Sequence, residues 1–264
     1  NQQMGNILYG FEGDIAWTDF DMGRRFKATN YIAAKMDWLA TARARLGVVA
    51  GNGMAYVTGG LAYARVQHCL GKNPATNYCE ESFTMPGNTF SKGNADGVSA
   101  DIFWKDTVPG LVAGFGVEGR AGPNLSIRAE WLYTNLDDSG NMRYNPNFEE
   151  AHFQKVRFDT SGHVFRLGAN WNFNAVDPNQ WQEDDDGSWS GPYFGAHAGV
   201  GDLTGRTVDW AGGSIIHAGR EVELVDLAAL GGLQAGFNHR YGNLVFGLEG
   251  DFSWSGFDTE KKFP

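Results

Sequence analysis

Bases, prolines, cysteines and long apolar runs are all scarce in this chain. Its 264 residues include 21 Lys or Arg against 31 Asp or Glu, a net charge of −10. An acidic balance without basic blocks excludes nucleic acid as a partner. There is no run of about 20 predominantly apolar residues, so a transmembrane helix is excluded. Transmembrane strands are not, because each needs only about 9–11 residues of alternating polarity. An apolar content of 42% excludes a disordered chain. The eight prolines fall in expected loops, in a linker or near strand starts, as strand pairing demands. Residue 1 is Asn with no signal peptide before it, the chain stops at Phe263-Pro264, and both ends read as cut.

What the sequence does have is a long-period repeat. Asn6–Lys27 reads NILYGFEGDIAWTDFDMGRRFK, and Asn243–Pro264 reads NLVFGLEGDFSWSGFDTEKKFP. The offset is 237 residues, and nine of the 22 pairs are identical. That period is too long for a solenoid and matches a whole domain. The expected organisation is therefore slightly more than one unit of a tandem array, or a permuted copy. Residues 1–174 form the first part, 175–188 an acidic linker, and 189–264 the start of the next copy or the closing strands of the same barrel. The linker's acid run, Glu183 to Asp186, reads as a solvated segment and lacks the spacing of an EF-hand loop.

Period-two alternation dominates the rest. In Leu125–Thr134, Leu125, Ile127, Ala129, Trp131 and Tyr133 share one face, while Ser126, Arg128, Glu130 and Thr134 share the other. Trp38–Val48 sets Ala40, Ala42, Ala44 and Leu46 against Thr41, Arg43 and Arg45. Ile7–Trp17 places Glu12 and Asp14 on its minority face. Six further strands are expected at Ala55–Cys69, Thr107–Ala121, Ser161–Asn174, Trp189–Leu203, Leu227–Tyr241 and Leu244–Phe257. Short turns at Gly51–Gly53, Ala121–Asn124 and Tyr241–Asn243 alternate with long polar loops at Asp21–Asp37, Leu70–Asp106, Asp137–Lys155 and Thr204–Asp226. Short turns on one side and long loops on the other are the pattern of an up-and-down transmembrane barrel.

The apolar faces are aromatic-rich and suited to lipid. The polar faces carry both signs: Glu12, Asp14, Glu118 and Glu130 against Arg43, Arg45, Arg128 and Arg166. An eight-stranded barrel has an interior just wide enough for side chains to fill. Buried charges must pair. The expectation is a lumen filled by an ion-pair network built from those eight residues, rather than an open water pore.

Several segments then resemble the small alphaproteobacterial outer-membrane barrels, the porin-family surface antigens related to the OmpA-type membrane domain. Trp189-Ser-Gly-Pro-Tyr-Phe-Gly-Ala-His-Ala-Gly is similar to their first strand, Leu230-Gly-Gly-Leu-Gln-Ala-Gly-Phe-Asn to the second, and Phe246-Gly-Leu-Glu-Gly-Asp-Phe-Ser-Trp-Ser-Gly to the third. Trp38-Leu-Ala-Thr-Ala-Arg-Ala-Arg-Leu-Gly resembles the fourth, Ala55-Tyr-Val-Thr-Gly-Gly-Leu-Ala-Tyr-Ala the fifth, and Val164-Phe-Arg-Leu-Gly-Ala-Asn-Trp-Asn-Phe the closing strand. The resemblance covers most of the chain outside the loops. It implies an all-β, antiparallel, eight-stranded barrel in the outer membrane of a Gram-negative bacterium, with lipid and lipopolysaccharide around it. It also implies that Phe173, the closing-strand aromatic, is read by the barrel-insertion machinery. The order here is rotated, with strands three to eight first and strands one to three after the linker. The two copies of the third strand would then compete for one slot, so one is expected to be left over or frayed. The linker, on the periplasmic side, is a candidate contact for peptidoglycan.

The remaining candidates are weaker. Gly114-Phe-Gly-Val-Glu-Gly119 matches the dinucleotide pattern but lies inside a strand with no helix N-terminus to hold a pyrophosphate, so its glycines are read as relieving crowding. Cys69 and Cys79 are expected to close a loop by a disulfide in an oxidising compartment. The histidines His68, His152, His163, His197, His217 and His239 form no spaced pair, and no metal or cofactor is expected. Some members of the resembled family bind haem at the surface, which makes His152 or His217 the candidates for that. Glu12 and Asp14 share a strand face near arginines expected to neutralise them, so no enzyme is expected. The leading function is a structural, surface-exposed barrel presenting its loops. A narrow channel for small solutes and a loop site for haem or a host molecule are the alternatives.

Overall fold

The computed structural model describes residues 6–26, 30–71, 82–85, 88–91, 102–138, 156–174, 189–209, 221–241 and 244–256. Every regular element among them is a strand: β1 (Asn6–Phe26), β2 (Asn30–Ala50), β3 (Gly53–Gly71), β4 (Ser82–Met85), β5 (Asn88–Ser91), β6 (Ile102–Arg120), β7 (Leu125–Asp138), β8 (Val156–Asn172), β9 (Gly191–Asp209), β10 (Glu221–Tyr241) and β11 (Leu244–Gly256). β4 and β5 pair as a separate small hairpin. The other nine close a single barrel in the order β1-β11-β10-β9-β8-β7-β6-β3-β2.

Connections at one end, the turn end, are tight. Ala50 pairs with Gly53, and Gly51 adopts a φ of 56° in the two-residue loop between them. A two-residue hairpin with a left-handed position follows the strand twist best, and glycine enters it without steric cost. Tyr241 likewise pairs with Leu244. At the opposite, loop end the strands run further than their polar composition predicts. Asp21–Asp37, expected as a loop, is largely strand: β1 and β2 stay paired up to Phe26↔Asn30, with register shifts after Trp17 and Met36. Pro109 and Pro192 sit within β6 and β9 where only one neighbour is in register. β7 reaches Gly110 but not Pro109, and β8 reaches Tyr193 but not Pro192.

Two expectations are corrected here. The barrel has nine strands rather than eight, and neither repeat copy is left over. An odd number of up-and-down strands forces one parallel pair, and that pair is β1 with β11. Their register, Ile7↔Leu244 through Thr18↔Ser255, sets each residue beside its own repeat mate 237 positions on. The physical reason is alternation. Both copies put the same positions inward, so an in-register parallel pairing keeps every side chain on its proper face.

The polarity of the barrel is inverted relative to a water-soluble fold. Phe11, Leu111, Leu227 and Leu248 point outward and are at least 65% exposed. Phe115, Val117, Ile127, Phe165, Leu167 and Phe237 join them in a belt. Aromatics edge it, with Tyr9 stacked on Phe246 towards the turn end and Trp17, Trp254, Trp131 and Tyr133 towards the loop end. Inward positions carry charge: Arg43, Arg128 and Glu130 are at most 2% exposed. At the turn end the interior becomes apolar. Trp189 packs with Leu8, Val49, Met54, Tyr56 and Val245, donates its indole N–H to the Gly51 carbonyl at 3.3 Å, and lies under the Arg120 guanidinium.

Candidate functional site, the charged lumen

Register alone brings some opposite charges together. Glu12 faces Arg43 across β1 and β2, and Glu130 faces Arg166 across β7 and β8. The seam does the reverse. It sets Glu12 beside Glu249 and Asp14 beside Asp251, and like charges directly opposite destabilise a sheet. Arginines from the far wall resolve this. Arg128 on β7 donates Nη2 to Glu12 at 2.6 Å and Nη1 to Glu249 at 2.5 Å, so one guanidinium bridges both copies. Arg45 also contacts both, bonding Glu12 and lying 3.6 Å from Glu249. One level up, Arg43 is 2.8 Å from Asp14, and Arg166 is 3.1 Å from Asp251. Glu130 sits at the centre, 2.5 Å from Arg166, 3.0 Å from Arg128 and 3.6 Å from Arg43.

Neutral groups complete the lattice. The Tyr56 hydroxyl donates to Glu130 at 3.0 Å, and the Tyr193 hydroxyl donates to Glu249. Both rings need an inward glycine opposite. A Cβ on Gly116 would run into the Tyr56 ring, and one on Gly236 into that of Tyr193. Gly116 belongs to the dinucleotide-like run, which therefore makes room for a ring. His197 bonds Gln234 at 3.0 Å and Ser253 at 2.8 Å.

Of the eight residues anticipated for the lumen network, Glu12, Asp14, Arg43, Arg45, Arg128, Glu130 and Arg166 meet in this cluster. Glu118 faces the same lumen but lies nearer the turn end, where it accepts hydrogen bonds from Ser126 at 2.5 Å and Asn170 at 3.0 Å. Although Glu118 is in register with Arg128, the latter extends to the seam instead. Glu249, Asp251, Tyr56, Tyr193 and His197 are members that sequence reasoning missed. The repeat carried the signal for two of them, since Glu249 and Asp251 are the mates of Glu12 and Asp14.

Phe173 follows the end of β8, is 63% exposed, and donates its backbone N–H to the Pro192 carbonyl. Cys79, His152, His217 and the linker 175–188 lie outside the described residues, as do the side chains of Cys69 and His68. His163 faces outward against Trp131 and Tyr133. Among the described residues no group of three His, Cys, Asp or Glu is placed to hold a metal ion.

Together these features define a closed β-barrel with an apolar exterior and a lumen filled by paired charge. Among known proteins, the chain is 33% identical over 141 residues to the 31 kDa outer-membrane immunogenic protein of Brucella melitensis biotype 1. It matches the protein of the same name from Brucella suis biovar 1 equally well. The match covers 53% of this chain and 47% of each relative, so the chain spans about half the length of the curated relatives it matches. No family model matches the chain, and no solved structure matches it.

Proposed function

We propose that the chain forms an outer-membrane β-barrel of a Gram-negative bacterium, with a structural and surface-presenting role rather than an enzymatic one. The inverted polarity carries this reading. Soluble monomers rarely expose apolar patches beyond a few hundred Å², whereas this barrel turns a continuous ring of Phe, Leu, Val and Trp outward and hides Arg43, Arg45, Arg128 and Arg166 inside with the carboxylates they pair. On β1 and β11 the outward apolar positions run from Ile7 to Trp17 and from Phe246 to Trp254, about the length a tilted strand needs to cross a bilayer. The names of the two relatives point the same way. In this reading the turn end is periplasmic, the loops are presented outside, lipid and lipopolysaccharide surround the belt, and Phe173 is the aromatic read on insertion. The linker 175–188 is a periplasmic segment available to peptidoglycan, and the chain is part of a tandem array or a permuted copy. The paired lumen and the Trp189 cluster argue against a solute channel.

The test is gel mobility in mild detergent with and without boiling, after refolding into lipid vesicles. A boiling-dependent shift of vesicle-bound protein, without single-channel conductance, is expected. A β-rich protein that stays in plain buffer and shows no shift would refute the membrane reading.

A further inference from the structure

Above the ion-pair cluster, on its loop-end side, the lumen holds a cavity of about 110 Å³. That is several times the volume one water requires. Leu39, Leu132, Val164 and Leu203 build the apolar part of its wall, Asp202 lines it too, and its floor is Asp14 and Arg166. Below that floor lie the paired charges and then the Trp189 cluster. The cavity is thus a cup, not a passage.

The floor has a charge preference. The cluster contains five carboxyl groups, Glu12, Asp14, Glu130, Glu249 and Asp251, and four guanidinium groups, Arg43, Arg45, Arg128 and Arg166. One carboxyl is in excess. Asp14 is the acidic member that lines the cup, and among the described residues its contacts fall on one oxygen. Thr41 donates to Oδ2 at 2.5 Å, and Arg43 lies 2.8 Å from the same atom. Oδ1 is left to accept from a guest. Arg166 is committed to Glu130 and Asp251. A largely apolar chamber with an uncommitted carboxylate oxygen at its floor and a surplus negative charge suits a small amphiphile with a cationic head.

We infer that this cup binds short aliphatic ammonium ions, the ammonium on Asp14 and the alkyl chain among Leu39, Leu132, Val164 and Leu203. The inference goes beyond the outer-membrane reading and needs only the barrel. Titration calorimetry of the refolded barrel with n-pentylammonium tests it, with n-pentanol and pentanoate as matched guests. Saturable binding of pentylammonium is expected, at least tenfold tighter than either neutral or anionic guest. Asp14→Asn should weaken it at least tenfold. Leu203→Trp fills the cup from its wall while keeping every ion-pair side chain, and should abolish binding while the boiling-dependent shift is retained. No saturable binding to a folded barrel, equal binding of pentanol, or binding indifferent to Leu203→Trp would each overturn the inference. A barrel that forms in plain buffer and still binds pentylammonium would refute the membrane reading and leave the cup standing.

Discussion

Arg128 is the side chain on which the parallel seam most depends, and Arg128→Met is the perturbation that measures it. Its guanidinium reaches Glu12 and Glu249 at 2.6 and 2.5 Å and Glu130 at 3.0 Å, with 3% of its side chain exposed. Without it, two carboxylates face each other across adjacent strands about 5 Å apart. At an effective dielectric constant near 20, that repulsion is about 3 kcal/mol. Arg45 still contacts both and offsets part of it. Removing one partner of a buried ion pair typically costs about 3–5 kcal/mol, and the two estimates agree on the scale. The expected loss lowers the folding equilibrium constant by roughly two to four orders of magnitude. Reversible urea unfolding in lipid vesicles, followed by tryptophan fluorescence, reads it. The double variant Arg128→Met with Glu249→Gln should recover at least half the loss, because one of the opposed charges is then gone. A single-variant loss below about 1 kcal/mol, or no recovery in the double variant, would refute the argument that arginines hold this seam.

Two further substitutions probe the barrel's two faces. Gly116→Ala drives a methyl into the buried Tyr56 ring and should cost about 1–3 kcal/mol by overpacking, with part of the loss recovered by Tyr56→Leu in the same unfolding assay. Phe11→Lys puts a charge on the most exposed part of the apolar belt. It should cost about 2–4 kcal/mol in vesicles if that position lies near the bilayer midplane, whereas a neutral or stabilising effect would count against lipid on that face.

Much of the wall was legible because alternation is a local signal. Leu125 to Glu130 reads outward and inward residue by residue, and the structure follows it: Ser126, Arg128 and Glu130 are buried, Leu125 and Ile127 exposed. Strand ends were less legible. The run Asp21–Asn30 carries Asp, Gly, two Arg and Lys, a loop-like composition, yet β1 continues to Phe26 because β2 lies beside it. Non-local pairing, not propensity, sets that boundary. The hydroxyls of Tyr56 and Tyr193 were hidden for a related reason. Each side chain reads as one more aromatic, and only closure places its hydroxyl on a glutamate from another part of the chain. His197 is similar, a lone histidine until Gln234 and Ser253 arrive from β10 and β11.

The odd closure and the lumen chemistry have a common origin in the duplicated segment. Without β11, the central cluster would hold Glu12, Asp14 and Glu130 against Arg43, Arg45, Arg128 and Arg166, one guanidinium in excess. The ninth strand adds Glu249 and Asp251 to the cluster and no arginine, so the balance passes from one positive charge to one negative. The same two residues impose the like-charge seam that Arg45 and Arg128 span, and they engage arginines that a smaller set would leave partly uncompensated. A repeat mate is therefore not a neutral filler in this position. It is tolerated because the lumen carries a spare guanidinium, and it leaves behind the spare carboxyl that gives the cup its preference for a cation. Deleting the inward charges of β11 together, by Glu249→Gln with Asp251→Asn, would thus remove the seam repulsion and the binding preference in one step.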